Sequence, residues 1–373
     1  MPNLYQPPLP QQYEDIPHQE MVQRIHAHKK NFGPSLLILG HHYQQDEVIQ
    51  FADLTGDSLK LSQLASEQKD ARFVVFCGVH FMAESADILA DENVAVILPD
   101  LSAGCSMADM ADPLDLEQAW DELNAATDEK IIPITYVNSA ATIKAFCGKN
   151  DGACCTSSNA RPILQYALTQ GQKVLFLPDQ HLGRNTAYAL GYPLDAMAVY
   201  DPQALQGTLS PEQIRHAKFI LWKGHCSVHQ LFTADQCDAV RKADPDCKII
   251  VHPECDWSVV QKADMAGSTE YIIKVISEAP DGSHWAVGTE INLVNRLTNK
   301  YRDRKSVYSL AGPQCLCSTM YRIDMKHLLW CLDELAAGRV VNRIIVNPET
   351  KQYARTALQR MLDNVSAQPV SAK

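Results

Sequence analysis

Ser35-Leu36-Leu37-Ile38-Leu39-Gly40, running into His41-His42-Tyr43, is the stretch on which the reading of this fold turns. An unbroken apolar run of this length, ended by glycine and polar aromatics, reads as a strand covered on both faces, as in parallel sheets beneath helices. A helical stretch follows, and Gly56-Asp57-Ser58 opens a second helix carrying Leu59, Leu61 and Leu64. Phe73-Val74-Val75-Phe76 reads as the next strand, and Ala95-Val96-Ile97-Leu98 leads to Gly104-Cys105.

The same order returns twice. Ile131-Ile132-Pro133-Ile134-Thr135 runs into Tyr136-Val137-Asn138; Thr156-Ser157-Ser158-Asn159 starts a helix; Val174-Leu175-Phe176-Leu177 is a strand; Phe219-Ile220-Leu221-Trp222 leads to Gly224-His225-Cys226. Ile249-Ile250-Val251 runs into His252-Pro253-Glu254; Gly267-Ser268-Thr269-Glu270 starts a helix; His284-Trp285-Ala286-Val287 is a strand; Val307-Tyr308-Ser309-Leu310 leads to Cys315-Leu316-Cys317. The interval from His41 to Cys105 equals that from His252 to Cys317 to within one position, while Tyr136 to Cys226 is longer. The excess falls in 147–155 and 185–213, whose Gly, Asn and Pro content reads as surface loops. A recurring supersecondary plan of this size predicts an α/β fold of three similar three-layer αβα units with parallel sheets around a pseudo-threefold axis.

The expected units are 20–113, 114–227 and 228–317, preceded by a flexible, proline-rich arm over 1–19 and followed by a flexible tail over 367–373. After Cys317 a helix over 323–337, a strand over 343–346 and a helix over 351–364 are expected to pack back on the first unit, so that 318–366 joins it.

A chain of 373 residues with 33 basic and 44 acidic side chains, net charge −11, lacks the dense positive face that nucleic acids require. Neither a signal peptide nor an apolar run near the roughly 20 residues of a membrane span is present, so no membrane role and a cytoplasmic location are expected. The 12 cysteines include no Cys-x-x-Cys pair, which argues against zinc ribbons and dithiol redox motifs. A metal site would have to be assembled from distant parts of the chain.

In parallel α/β units, ligands bind at the carboxyl ends of strands and at adjacent helix starts. Ser58, Ser157 and Ser268 read first as helix N-caps, a role that needs no ligand, although such starts also attract carboxylates and phosphate. His41, Tyr43, Tyr136 and His252 each have an ordinary core reading, whereas Glu254 at a strand end is a carboxylate in want of a partner or a task. Cys105, Cys226 and Cys317 close the three units. Three thiolates with one open coordination position suit either zinc or a 4Fe–4S cluster, and spacing does not separate the two.

Gly40-His41-His42-Tyr43, Gly56-Asp57-Ser58-Leu59, Phe81-Met82-Ala83-Glu84, Tyr136-Val137-Asn138-Ser139, Thr156-Ser157-Ser158, Asp179-Gln180-His181-Leu182-Gly183-Arg184, Cys226-Ser227-Val228-His229, His252-Pro253-Glu254 and Gly267-Ser268-Thr269 resemble, in this order, the A-type quinolinate synthases. The resemblance covers nearly the whole chain. It implies one 4Fe–4S cluster on Cys105, Cys226 and Cys317, the last placed by the Ser-Thr-Met that follows it rather than at Cys315. It implies condensation of iminoaspartate with dihydroxyacetone phosphate to quinolinate, the pyridine precursor of NAD, with loss of phosphate and two waters, and a functional link to an L-aspartate oxidase. Glu254, His41, Tyr43 and Tyr136 become the catalytic candidates; Ser58, Asn138, Ser157, His252, Ser268, Thr269 and His229 would bind substrate. Another cluster-dependent hydro-lyase, or a non-enzymatic iron–sulfur scaffold or sensor, is the alternative.

Overall fold

The computed structural model describes residues 5–58, 60–61, 64 and 70–366. Leu59 of the second predicted helix, the first four residues of the expected arm and the expected tail lie outside these. Contacts divide the chain into two compact units. The first runs to Cys105 and resumes over Leu316–Asn347; the second takes Ser106–Cys315 and the chain from Pro348 on.

The first unit is built on β1 (Leu36–His41), β2 (Leu54–Gly56), β3 (Phe73–Cys77) and β4 (Ala95–Ile97). All four are parallel, in the order β2-β1-β3-β4, and the short strand Arg343–Ile344 adds antiparallel to β4. Every residue of β1 is buried, as its unbroken apolar run requires of a strand between two helical layers. The helices His18–Phe32 and Met325–Ala336 pack on one another in this unit. Asp333 joins them by accepting from Tyr13 at 2.8 Å and Arg24 at 2.6 Å.

The second unit carries two sheets. One is β5 (Ile131–Tyr136), β6 (Ala153–Cys155), β7 (Lys173–Leu177), β8 (Met197–Tyr200) and β9 (Phe219–Trp222), parallel in the order β6-β5-β7-β9-β8. The other is β10 (Lys248–Val251), β11 (Met265–Ala266), β12 (His284–Gly288) and β13 (Ser306–Ser309), parallel in the order β11-β10-β12-β13. The chain therefore lays down the same strand order three times, and β8 is an addition at one edge. The predicted repeat is a repeat of sheet topology.

Two expectations change. The stretches read as surface loops hold β6 and β8, the edge strands of their sheet. Strands of three or four residues carry too little apolar pattern to register as strands. The segment 318–366 is also not all in the first unit, because the last helix, Pro348–Ser366, lies on the helix Ala141–Lys149 and on β6. Arg360 ties it there, donating to the carbonyl of Gly152 at 2.7 Å. Gly148 permits the approach, since a Cβ would meet the Tyr353 carbonyl oxygen at 2.0 Å. No helix among the described residues is long and apolar enough to cross a membrane.

Candidate active site

In the second unit the carboxyl ends of β5, β9 and β10 bring five predicted residues together. At the end of β10 the His252 N–H continues the ladder to Gly288 O at 2.9 Å, and Cys255 N–H closes a turn on His252 O at 3.0 Å. That turn presents Glu254, which is 2 % exposed. Asn185 holds it from the helix Gln180–Ala189, its Nδ2 donating to Pro253 O at 2.8 Å and Cys255 O at 2.9 Å.

Opposite the carboxylate stands His229, with Nδ1 2.8 Å from Glu254 Oε2 in a contact that is off line for a hydrogen bond. His229 Nε2 is 3.4 Å from the hydroxyl of buried Thr289. The His252 ring stacks on that of His229 at 4.6 Å between centroids, and its Nδ1 is 3.9 Å from Glu254 Oε1. Tyr136, at the end of β5, hydrogen-bonds the same carboxylate. Burial opposes ionisation of Glu254, but His229, His252 and the Tyr136 hydroxyl outweigh it and hold the carboxyl below its ordinary range. Burial depresses His252 to about 3, with Glu254 opposing and His229 adding to the effect.

Cys226 belongs to this cluster: its sulfur, a His229 nitrogen and a Glu254 oxygen lie within 4.8 Å of one another. The chain reaches it from β9 through Gly224, which bridges to Asp179 beside β7 and whose Cβ would fall 2.3 Å from the Pro178 carbonyl oxygen. Asp179 is an N-cap, one oxygen accepting from the N–H groups of His181 and Leu182, both at 2.7 Å. Its other oxygen is buried without a hydrogen-bond partner among the described residues. Burial and the nearby Glu254 charge push Asp179 well up, while these amides and the Cys226 N–H favour its charged form.

The turn after β5 is built on a buried cation. Lys144 donates to the Ser139 carbonyl, and the Ser139 hydroxyl donates to Tyr136 O at 2.8 Å. Asn138 rides on this turn with its Oδ1 buried and no hydrogen-bond partner among the described residues. Of the three serines read as N-caps, one fits and two differ. Ser268 is the N-cap expected, accepting from Tyr271 N at 3.3 Å with Thr269 buried beside it. Ser157 precedes its helix, whose N-cap is Asn159. Ser58 lies inside its helix, where the Asp57 carboxylate takes the Lys60 N–H at 3.0 Å. Asp57 thus takes the capping role at Ser58, whereas Asn159 turns its side chain back to accept the Thr156 N–H at 2.6 Å and makes no side-chain capping bond.

The first unit gathers the remaining residues at the carboxyl end of β1. His41 is buried there and accepts the Tyr43 N–H at Nδ1 (3.1 Å), with the two rings edge-to-face at 4.8 Å. Gln44 Nε2 donates to Met320 O at 3.1 Å, and Gln45 to Ile323 O at 3.0 Å, which binds the turn after Cys317 to this loop. Arg322 from the same turn donates to Ser102 at 2.9 Å in the loop that carries Cys105. Cys317 Sγ is 3.5 Å from Thr319 Oγ1.

A model of the family "Quinolinate synthetase A protein" matches residues 23–363. The chain belongs to that family. Relatives named quinolinate synthase include those of Halalkalibacterium halodurans, 56% identical over 95% of this chain and 96% of its own, and of Anoxybacillus flavithermus, 55% identical over the same shares. A relative so named from Acidobacterium capsulatum is 54% identical over 94% of this chain and 95% of its own. In the string Asp179–Arg184, Asp179 is the cap, and it bridges to Gly224 at the strand end before Cys226. Asn185 and Lys144 went unnoticed in the sequence; a polar side chain following a family string was the one signal for Asn185.

Proposed function

We propose that the chain synthesises quinolinate for NAD biosynthesis, by condensing iminoaspartate with dihydroxyacetone phosphate and releasing phosphate and two waters. The family and the near-complete coverage of its relatives support the activity. Cys105, Cys226 and Cys317 would hold one 4Fe–4S cluster, and burial separates them from their fellows. These three are half-buried, whereas the other nine cysteines are buried. Burial raises the thiols of Cys147, Cys154, Cys155 and Cys255, which suits them to the core and not to metal. Cys315 is buried too, 3.2 Å from the Ser309 hydroxyl and 3.4 Å from the Gly312 carbonyl, which favours Cys317 as third ligand.

When bound, the cluster supplies a Lewis-acidic iron that polarises a substrate oxygen and eases its departure as water. Glu254, held ionised, takes the proton, and the Tyr136 hydroxyl against it relays the proton onward. His41, whose Nδ1 accepts a backbone N–H, carries its proton on Nε2 and donates from there, with Tyr43 beside it. Ser58, Ser157, Ser268 and Thr269 with Asn138, His252 and His229 anchor the carboxylates and phosphate. Twelve cysteines and an oxidant-sensitive cluster would suit a reducing, cytoplasmic setting.

The test is anaerobic turnover of both substrates by the reconstituted chain, reading quinolinate and phosphate together. Equal yields are expected, and no product with a full cluster overturns the activity. Serine at Cys105, Cys226 or Cys317 should remove bound iron, and serine at Cys315 should not. Loss at Cys315 with retention at Cys317 would exchange the two.

A further inference from the structure

We propose that Cys226, His229 and Glu254 form a mononuclear site for a divalent ion of the zinc type, filled when the iron–sulfur cluster is absent. Their three donor atoms lie within 4.8 Å of one another, and all three residues sit in the second unit. A tetrahedral ion with bonds of about 2.0–2.3 Å holds its ligands roughly 3.3–3.8 Å apart, so side-chain rotations of about an ångström close the site.

The histidine is oriented for this task. Nε2 stands 3.4 Å from the buried Thr289 hydroxyl; in the tautomer that places the proton there, Nδ1 turns its lone pair toward the Glu254 carboxylate. Metal-binding imidazoles are commonly fixed this way, by a hydrogen bond from the nitrogen that faces away from the ion. In that tautomer two acceptors stand 2.8 Å apart and need a positive charge between or beside them. The contact is off line for a hydrogen bond, so a proton bridges it poorly. A metal ion sits off the line joining its ligands, and serves both atoms at once.

The donor set selects the ion. Magnesium and calcium prefer oxygen ligands throughout, while one thiolate, one imidazole and one carboxylate with a fourth position open suit zinc or cobalt(II). The ion also takes Cys226 away from the cluster, so the two exclude each other. That exclusion rests on the cluster reading above; the ion site does not.

Cobalt(II) added to the full-length, iron-free chain under anaerobic conditions tests the site. One cobalt per chain is expected, with a thiolate-to-cobalt charge-transfer band, tetrahedral d–d bands, and loss of both on adding zinc. Cys226→Ser should erase the charge-transfer band, and Thr289→Val, which leaves every donor in place, should weaken binding about 10–100-fold. Cys105→Ser and Cys317→Ser should bind cobalt as the unaltered chain does. Absence of the band in the unaltered chain, its survival in Cys226→Ser or its loss in Cys105→Ser overturns the site. Iron and sulfide added to the same proteins separate the two readings. A chain that binds cobalt in this pattern but builds no cluster leaves the ion site standing and removes the cofactor. A chain that builds the cluster but shows no cobalt band does the reverse.

Discussion

Two histidine–carboxylate pairs in this molecule have the same length and different reasons to exist. His229 Nδ1 is 2.8 Å from Glu254 Oε2, and His327 Nδ1 is 2.8 Å from Asp324 Oδ1. The second pair is local. Asp324 caps the helix Met325–Ala336, takes the His327 backbone N–H at 2.8 Å with the same oxygen, and is 43% exposed at the side chain. Helix capping accounts for it completely. Glu254 caps nothing, is almost wholly buried, and meets a histidine from a different strand connection. A buried charge that its own backbone does not need is held for chemistry or for a ligand. Distance alone would have ranked the pairs as equals.

Removing each carboxylate separates the pairs most sharply. Glu254→Gln should lower kcat by about 10²–10⁴-fold with bound iron and melting temperature retained. A fall in melting temperature at unchanged kcat would make this pair structural as well. Asp324→Ala should do the opposite, costing about 1 kcal/mol of stability by chemical denaturation and leaving kcat alone. The smallest effect is a slope. Burial works against the charge of His327, but the Asp324 hydrogen bond, with Asp324, Asp100 and Glu14, raises it above its ordinary value. Its contribution to stability is therefore complete below about pH 6.5 and fades as pH rises through the raised value. Denaturation midpoints across that window should fall less steeply in His327→Gln.

The pair at Asp324 was open to reading in the sequence, because a capping residue and its partner three positions on form a local pattern. The pair at Glu254 was half legible: the strand end and the family string singled out both residues, yet nothing in the spacing joined them. Long-range partnership depends on which strand ends become neighbours, and that is decided by sheet order. The main strands β1, β5 and β10 were plain from their apolar runs. The edge strands β2, β6 and β11 were not, since two or three residues are too few to show a period. Each of those edges leads directly to one of Ser58, Ser157 and Ser268, the serines proposed to hold substrate. Asp57 shows why Ser58 was misread, as its carboxylate takes the Lys60 N–H; Ser157 was misread because its helix starts later, after Asn159, whose side chain turns back to the Thr156 N–H. Cys315 and Cys317, two positions apart, were told apart in the sequence only by the Ser-Thr-Met after Cys317; their difference in burial, buried against half-buried, is one that spacing does not report.

The last helix has a bearing on how the protein is made. Its partner surface, the helix Ala141–Lys149 beside β6, leaves the ribosome some two hundred residues before it does. Until Pro348–Ser366 is synthesised, the unit that carries Cys226 and Glu254 has an uncovered flank, and the buried thiols of Cys147, Cys154 and Cys155 lie just behind it. A chain cut short before Pro348 would contain every residue named in the site and still lack the closing piece of that unit. Such a truncation is expected to destabilise the second unit while removing none of the residues named in the site.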